Sequence, residues 1–132
     1  MISLDTNVLV RLLTNDDPAQ AQKARKALDQ ARLAQERIWI SVVVACELVW
    51  VLQRLYAYDR KHIVIALSAL LKFPSLDLEH PVAMKKAVNE LARSPADFAD
   101  ILLGIFSDEQ GAAFVLTFDK KAARLATHKL LA

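Results

Sequence analysis

The N-terminal stretch of this chain places a carboxylate where a strand turns into a helix. Ile2 and Leu4 predict a short buried strand, and the apolar spacing over residues 8–13 is typical of a helix. The polar tripeptide Asp5-Thr6-Asn7 lies between them. In open α/β sheets, ligands bind at the edge where parallel strands end, which makes Asp5 a candidate site residue. The alternative is that Asp5 only caps the helix, since Asp, Thr and Asn are common N-cap residues.

The rest of the chain alternates helical patterns with short apolar runs. The predicted helices after the first are residues 19–36, 42–56, 60–72, 81–94, 94–110 and 122–126. The later strands are predicted at residues 38–40, 76–78 and 114–117, with 129–132 as a final strand or a docking tail. This alternation indicates an α/β domain with a central, mainly parallel sheet flanked by helices.

Size and composition agree with one soluble domain. The 132 residues suit a single domain over 1–132, and 55% of them are hydrophobic, which favours an apolar oligomer face in addition to a core. A single cysteine excludes an internal disulfide and makes a reducing compartment the default. We see no signal peptide, and the apolar run over 42–52 is shorter than the roughly 20 residues that span a bilayer. We therefore expect a cytoplasmic protein with no membrane partner.

Glu47 is the only charged residue in the apolar run over 42–52. Burying a carboxylate without a partner costs several kcal/mol or drives it to the neutral form, so we expect a cation or a basic group beside it. Arg54, on the same predicted helix face, is the structural alternative. The apolar character around this helix predicts that one face meets the core and another meets a second subunit.

Asp97 and Asp100 stand three residues apart after the helix start at Ser94-Pro95, so they share one helix face. Two like charges at this spacing repel, and the helix dipole offsets only part of the repulsion. Capping explains one acid, for which Asp97 is better placed, but not two. Gly104 inside this helix costs about 1 kcal/mol relative to alanine, which predicts close packing against its backbone.

The strand over 114–117 repeats the opening pattern, because it ends in Thr117 and Asp119. If the sheet is parallel, these strand and helix ends converge and bring the acids together. The expected cluster is Asp5, Glu47, Asp100 and Asp119. A site made only of carboxylates suits Mg²⁺ or Mn²⁺ and phosphoryl chemistry, in which metals activate water and stabilise the leaving oxygen. The three histidines lie outside these stretches, which argues against zinc.

The charge balance favours an anionic substrate. The net charge is +2, and without these four acids the remaining 11 acids face 17 basic residues, a net charge of +6. Cation binding in the cluster would therefore leave a basic protein, as a nucleic-acid backbone requires.

Four motifs in this order resemble those of PIN-domain ribonucleases, and the layout over the whole chain is most similar to VapC toxins of prokaryotic toxin–antitoxin pairs. The motifs are Asp5-Thr6-Asn7, Glu47, Ala99-Asp100-Ile101-Leu102 and Thr117-Phe118-Asp119. The resemblance implies a parallel sheet of about five strands flanked by helices. It also implies an Mg²⁺- or Mn²⁺-dependent endoribonuclease that acts on RNA, forms a homodimer and is inhibited by a VapB-type antitoxin.

The resemblance assigns the family's catalytic and metal-binding acids to this chain. They are Asp5, Glu47 and Asp100, with Asp119 as the more variable fourth. Thr6, Asn7 and Thr117 match accessory polar positions, and Asp97 is auxiliary. The family often has asparagine where this chain has Phe118.

Two other functions fit parts of the pattern. A haloacid-type phosphatase also uses an aspartate at the end of its first strand, but it needs a second aspartate two residues on, where this chain has Asn7. A non-catalytic PIN-like module for RNA binding or assembly is the other alternative. The retained acids argue against it.

Overall fold

The computed structural model describes residues 1–131 and contains six α-helices and five strands there. The chain divides into two compact units, the first over Met1–Glu79 and the second from His80 onward. Within residues 1–131, no helix is both long and apolar enough to cross a membrane.

The first unit contains three strands and four helices. In chain order they are β1 (Ile2–Ser3), α1 (Thr6–Thr14), α2 (Pro18–Leu33), β2 (Ile38–Ile40), α3 (Val42–Leu55), α4 (Arg60–Lys72) and β3 (Leu76–Leu78). The helix starts follow local capping rules. Ser41 and Asp59 accept hydrogen bonds from backbone N–H groups of α3 and α4, and Pro18 occupies the first position of α2 after the N-cap Asp17.

The three strands form a parallel sheet in the order β1-β2-β3. Ile38 of β2 pairs with Ile2 on one side and Leu76 on the other. The centre strand contributes fully buried side chains from Ile38 and Ile40, against which the helices pack. Large side chains that the helices of this unit bury almost completely include Leu9, Leu48, Leu52 and Ile63.

The second unit contains two helices and two strands. They are α5 (Pro81–Leu91), α6 (Phe98–Glu109), β4 (Val115–Thr117) and β5 (His128–Leu130), with a 3₁₀ turn at Ala122–Arg124 between the strands. β4 and β5 pair in parallel, with Val115 opposite His128. α5 and α6 pack on one another, and Met84, Leu91, Phe98 and Leu102 are buried.

The predicted α/β class with parallel strands and flanking helices is confirmed. The five strands pair as one sheet of three and one of two. Ile2 is 39% exposed, so only Leu4 of the predicted N-terminal strand pair is buried, because β1 is a short strand with one neighbour.

The helix predicted over 122–126 is only a 3₁₀ turn, because Leu125 already leaves helical geometry as the chain approaches β5. The last predicted strand begins at His128 and ends at Leu130, and Ala132 lies outside the described residues.

Candidate metal centre

Three carboxylates of the second unit meet at the start of α6. Asp97 and Asp100 come from the N-terminal end of this helix, and Asp119 follows β4. One oxygen of each lies within 4.8 Å of the others, and the group contains no histidine or cysteine. The predicted meeting of Asp100 with Asp119 is thus observed, and Asp97, predicted as auxiliary, joins them.

Asp97 occupies the N-cap position of α6 with extended backbone geometry, but its side chain makes no capping hydrogen bond. The expectation that Asp97 serves as the capping residue is therefore wrong. Its carboxylate lies with those of Asp100 and Asp119 instead of accepting from the first amides of the helix. Asp97 therefore adds a third carboxylate to the group, and hard cations such as Mg²⁺ take oxygen ligands of this kind.

Backbone contacts hold Asp119 in place. The Thr117 hydroxyl oxygen accepts a hydrogen bond from the Asp119 N–H at 3.0 Å. Asp119 Oδ1 in turn accepts from the N–H groups of Lys121 and Ala122, at 2.8 and 3.2 Å. Thr117, predicted as an accessory residue, thereby fixes the turn that presents the Asp119 carboxylate.

Electrostatics at Asp100 favour a cation. Burial raises the pKa of the Asp100 carboxyl above its ordinary value, and the carboxylates of Asp97 and Asp119 raise it further, while His128 acts in the opposite direction. The three oxygens, the lack of nitrogen or sulfur ligands in the group and the like-charge repulsion fit Mg²⁺ or Mn²⁺.

The remaining predicted site residues belong to the first unit. Asp5 is exposed at the N-cap of α1, where its Oδ1 accepts from the Thr6 N–H at 2.7 Å, so the capping alternative is also realised. Asn7 is exposed. The Thr6 side chain is buried, and its hydroxyl oxygen has no hydrogen-bond partner among residues 1–131. The convergence of Asp5 and Glu47 with the other acids stays a prediction.

Glu47 is exposed, and the expectation of a buried carboxylate is wrong. Because α3 turns once every 3.6 residues, Glu47 points away from the buried side of the helix, which bears Ala45, Leu48 and Leu52. Its face of the helix also bears the exposed Trp50, over whose ring the Arg54 guanidinium lies at 5.6 Å. Arg54 therefore contacts Trp50 and is not the expected ion-pair partner of Glu47.

His128 was not predicted from the sequence as a site residue. The residue opens β5, is 8% exposed and has an unpartnered Nε2 atom in the described chain, and it acts electrostatically on Asp100. The signal that could have revealed this packing was Gly104. The predicted close approach at this glycine is confirmed, since a Cβ atom there would lie 2.2 Å from Thr127 Oγ1.

A separate apolar pocket of about 400 Å³ lies in the first unit. Most of its lining is apolar and includes seven leucines, and Arg25, Asp29 and Arg32 of α2 also contact it. It contains none of the predicted acids.

Comparison with known protein families matches residues 2–127 to the PIN domain. This chain belongs to the PIN domain family. PIN domains are generally metal-dependent nucleases that act on nucleic acid, and this one retains an acidic cluster able to bind a metal. The family also sets the chain apart from the haloacid-type phosphatases. A comparison with curated proteins finds no match.

Proposed function

We propose that this PIN domain protein is an Mg²⁺- or Mn²⁺-dependent endoribonuclease that serves as the toxin of a toxin–antitoxin pair. The observation that best supports the nuclease is the group of carboxylates from Asp97, Asp100 and Asp119, with oxygens within 4.8 Å of one another. The net charge of +6 outside the four predicted acids supports an anionic substrate such as RNA.

Each residue has a distinct task in this proposal. The catalytic, cation-holding acids are Asp5, Glu47, Asp100 and Asp119, with Asp97 as an auxiliary ligand. These carboxylates would hold a divalent cation, which would supply a water of lowered pKa and stabilise the leaving oxygen. Thr117 orders the Asp119 turn through the contact described above. Asp5 is fixed by the Thr6 amide, with Asn7 next to it as an accessory polar residue.

The decisive experiment is cleavage of RNA by the purified full chain with Mg²⁺ or Mn²⁺ and with EDTA. We expect cleavage that stops in EDTA, because the proposed chemistry depends on the cation. Asp100→Asn and Glu47→Gln should lose activity while remaining folded. The matched controls Asp108→Asn and Glu109→Gln remove exposed acids at the other end of α6 and should stay active.

Undiminished cleavage in EDTA would overturn the metal-dependent mechanism. Binding of RNA without cleavage under every cation condition would instead favour the non-catalytic PIN-like module.

The same proposal includes a homodimer. α3 exposes Val43, Trp50 and Leu55, and α4 exposes Ile65, which are large apolar side chains of the kind found at protein interfaces. Light scattering at tens of micromolar, a range where typical stable interfaces persist, should give twice the chain mass. Trp50→Glu should shift the protein toward monomer, whereas Val82→Glu, at a more exposed position on α5, should not.

The second proposed partner is a VapB-type antitoxin. The apolar pocket of the first unit supports the binding of an apolar segment, with Arg25 as the lining cation that can meet an acidic residue, since Arg32 pairs with Asp29. Expression of the chain alone should arrest growth, and co-expression of the small reading frame beside its gene should relieve the arrest. Growth arrest by the Asp100→Asn variant would contradict a nuclease toxin.

A further inference from the structure

His128 has an orphaned nitrogen in the buried part of the second unit. Its side chain is 8% exposed, and Nδ1 lies 2.9 Å from the Thr127 hydroxyl oxygen. Its Nε2 atom is buried without a hydrogen-bond partner within residues 1–131. Leaving a buried polar group unsatisfied destabilises the fold, so such a group needs an explanation.

The position of the ring relates it to the acid cluster. A Cβ atom built on Gly104 would lie 3.1 Å from His128 Cε1, which is the ring atom between Nδ1 and Nε2. Gly104 follows Asp100 by four residues, one turn of α6, and therefore shares its helix face. The imidazole thus packs against the face of α6 that bears Asp100.

The hydrogen bond between the Thr127 hydroxyl and His128 Nδ1 is linked to the tautomer of the ring. When the Thr127 O–H donates to Nδ1, the neutral imidazole has its proton on Nε2, the orphaned atom. Nε2–H is then a buried donor without an acceptor among the described residues, on a ring that packs against the helix bearing Asp100.

We propose that His128 is a positioning residue of the metal centre, whose Nε2–H donates a hydrogen bond to the Asp100 carboxylate when the cation is bound. The inference rests on the metal centre of the proposed function. The hydrogen bond orients one Asp100 oxygen and leaves the other for the cation. Loss of such an outer partner typically lowers metal affinity or activity 10–100-fold.

The test measures Mn²⁺ binding to the metal-free full chain by calorimetry, with Asn and Gln variants of His128. The amide nitrogen of Gln reaches the position of Nε2, whereas that of Asn reaches only the position of Nδ1. We expect His128→Asn to weaken Mn²⁺ binding about 10–100-fold and His128→Gln to restore most of it. His62→Gln, an exposed histidine paired with Asp59, is the control and should bind as the parent does.

Two further readouts separate positioning from packing. Both variants are compared with the parent for melting temperature in EDTA, and for kcat and KM on RNA. A positioning role predicts that kcat falls with Mn²⁺ affinity in His128→Asn while KM for RNA stays near the parent value. Equal losses of Mn²⁺ affinity in both variants, in step with their melting temperatures, would overturn the inference in favour of a packing role.

The Asp100→Asn variant separates the two proposals. If the parent binds Mn²⁺, Asp100→Asn does not and His128→Asn binds normally, the positioning role is overturned while the metal centre stands. If the parent binds no Mn²⁺, the metal centre and the role of His128 fall together.

Discussion

Gly104 of α6 lies so close to Thr127 that a methyl group at the glycine would come within 2.2 Å of the threonine hydroxyl oxygen and 2.9 Å of its Cβ. Gly104→Ala should therefore destabilise the fold, although alanine favours a helix by about 1 kcal/mol. Overpacking of this kind typically lowers the free energy of unfolding by about 1–3 kcal/mol, so we expect a net loss of stability. Urea unfolding monitored by circular dichroism measures this change in the free energy of unfolding.

A second substitution checks the cause of this loss. Thr127→Ala removes the nearer of the two obstructing atoms and leaves the other, so the double variant should regain part of the stability. If Gly104→Ala is as stable as the parent, the close approach of β5 to α6 is not a feature of the folded protein.

Asp100→Asn should stabilise the metal-free protein at neutral pH. Because the folded-state pKa of Asp100 is raised, the folded chain holds its proton to higher pH than the unfolded chain does. Stability from this group therefore falls as the pH rises from about 3.9 through the folded pKa. The Asn side chain does not titrate, so the variant lacks this loss of stability. Its melting temperature in EDTA should exceed that of the parent by roughly 3 °C at pH 7.

The pH dependence is the stringent part of this prediction. The gain should vanish below about pH 3.9, where the carboxyl is protonated in both states. Asp108→Asn, on the same helix but outside the cluster, should show no such pattern. A gain that persists at low pH would exclude charge repulsion as its source.

Asp97→Ala should leave the metal-free fold almost as stable as the parent. Its side chain makes no capping hydrogen bond, so its loss removes a like charge from the cluster and no backbone contact. Asp17→Ala is the matched comparison, because Asp17 Oδ1 accepts from the Gln20 N–H at 3.1 Å and loss of such a cap costs about 1 kcal/mol. Thermal unfolding in EDTA compares the melting temperatures of both variants with that of the parent. Equal destabilisation by the two substitutions would mean that Asp97 does cap α6.

Tyr56→Phe should raise the pKa of Asp16. The Tyr56 hydroxyl donates to Asp16 Oδ2 at 2.6 Å, and this hydrogen bond is the main reason why the pKa of Asp16 lies below its ordinary value, with Thr14 and Arg11 adding to it. A lowered carboxyl pKa stabilises the fold above the unfolded pKa, and that gain is lost as the pH falls through the folded pKa.

Carbon-13 NMR titration of the Asp16 carboxyl measures the shift. Tyr58→Phe, which alters a tyrosine outside this contact, should leave the Asp16 titration unchanged. The two variants together test whether the hydroxyl of Tyr56 is the cause.

Local sequence rules account for much of this fold. The helix starts at Asp17-Pro18, Ser41 and Asp59 depend on contacts within three residues, so the sequence predicts them directly. The meeting of Asp100 with Asp119 also follows from sequence, given a parallel arrangement of strands.

Features that depend on contacts between residues far apart in the sequence could not be predicted from local sequence patterns. Glu47 lies in an apolar run but on the exposed side of α3, and sequence adjacency does not report which side a neighbour occupies. The Asp97 carboxylate joins Asp119, 22 positions away in the numbering, in preference to the amides next to it. His128 lies in a three-residue strand, too short for a periodic pattern to reveal its surroundings.

If the proposed nuclease holds, the exposed ring of Phe118 would favour one form of RNA over another. The ring is 78% exposed, directly before Asp119 of the acid cluster. An aromatic side chain stacks on a base only where that base is splayed out from its helix, and such stacking is worth about 1–3 kcal/mol per base. Loops, bulges and frayed ends offer bases in this state, whereas a continuous duplex keeps them stacked on one another. The geometry of the folded RNA, as much as its sequence, would then decide where the backbone is cut.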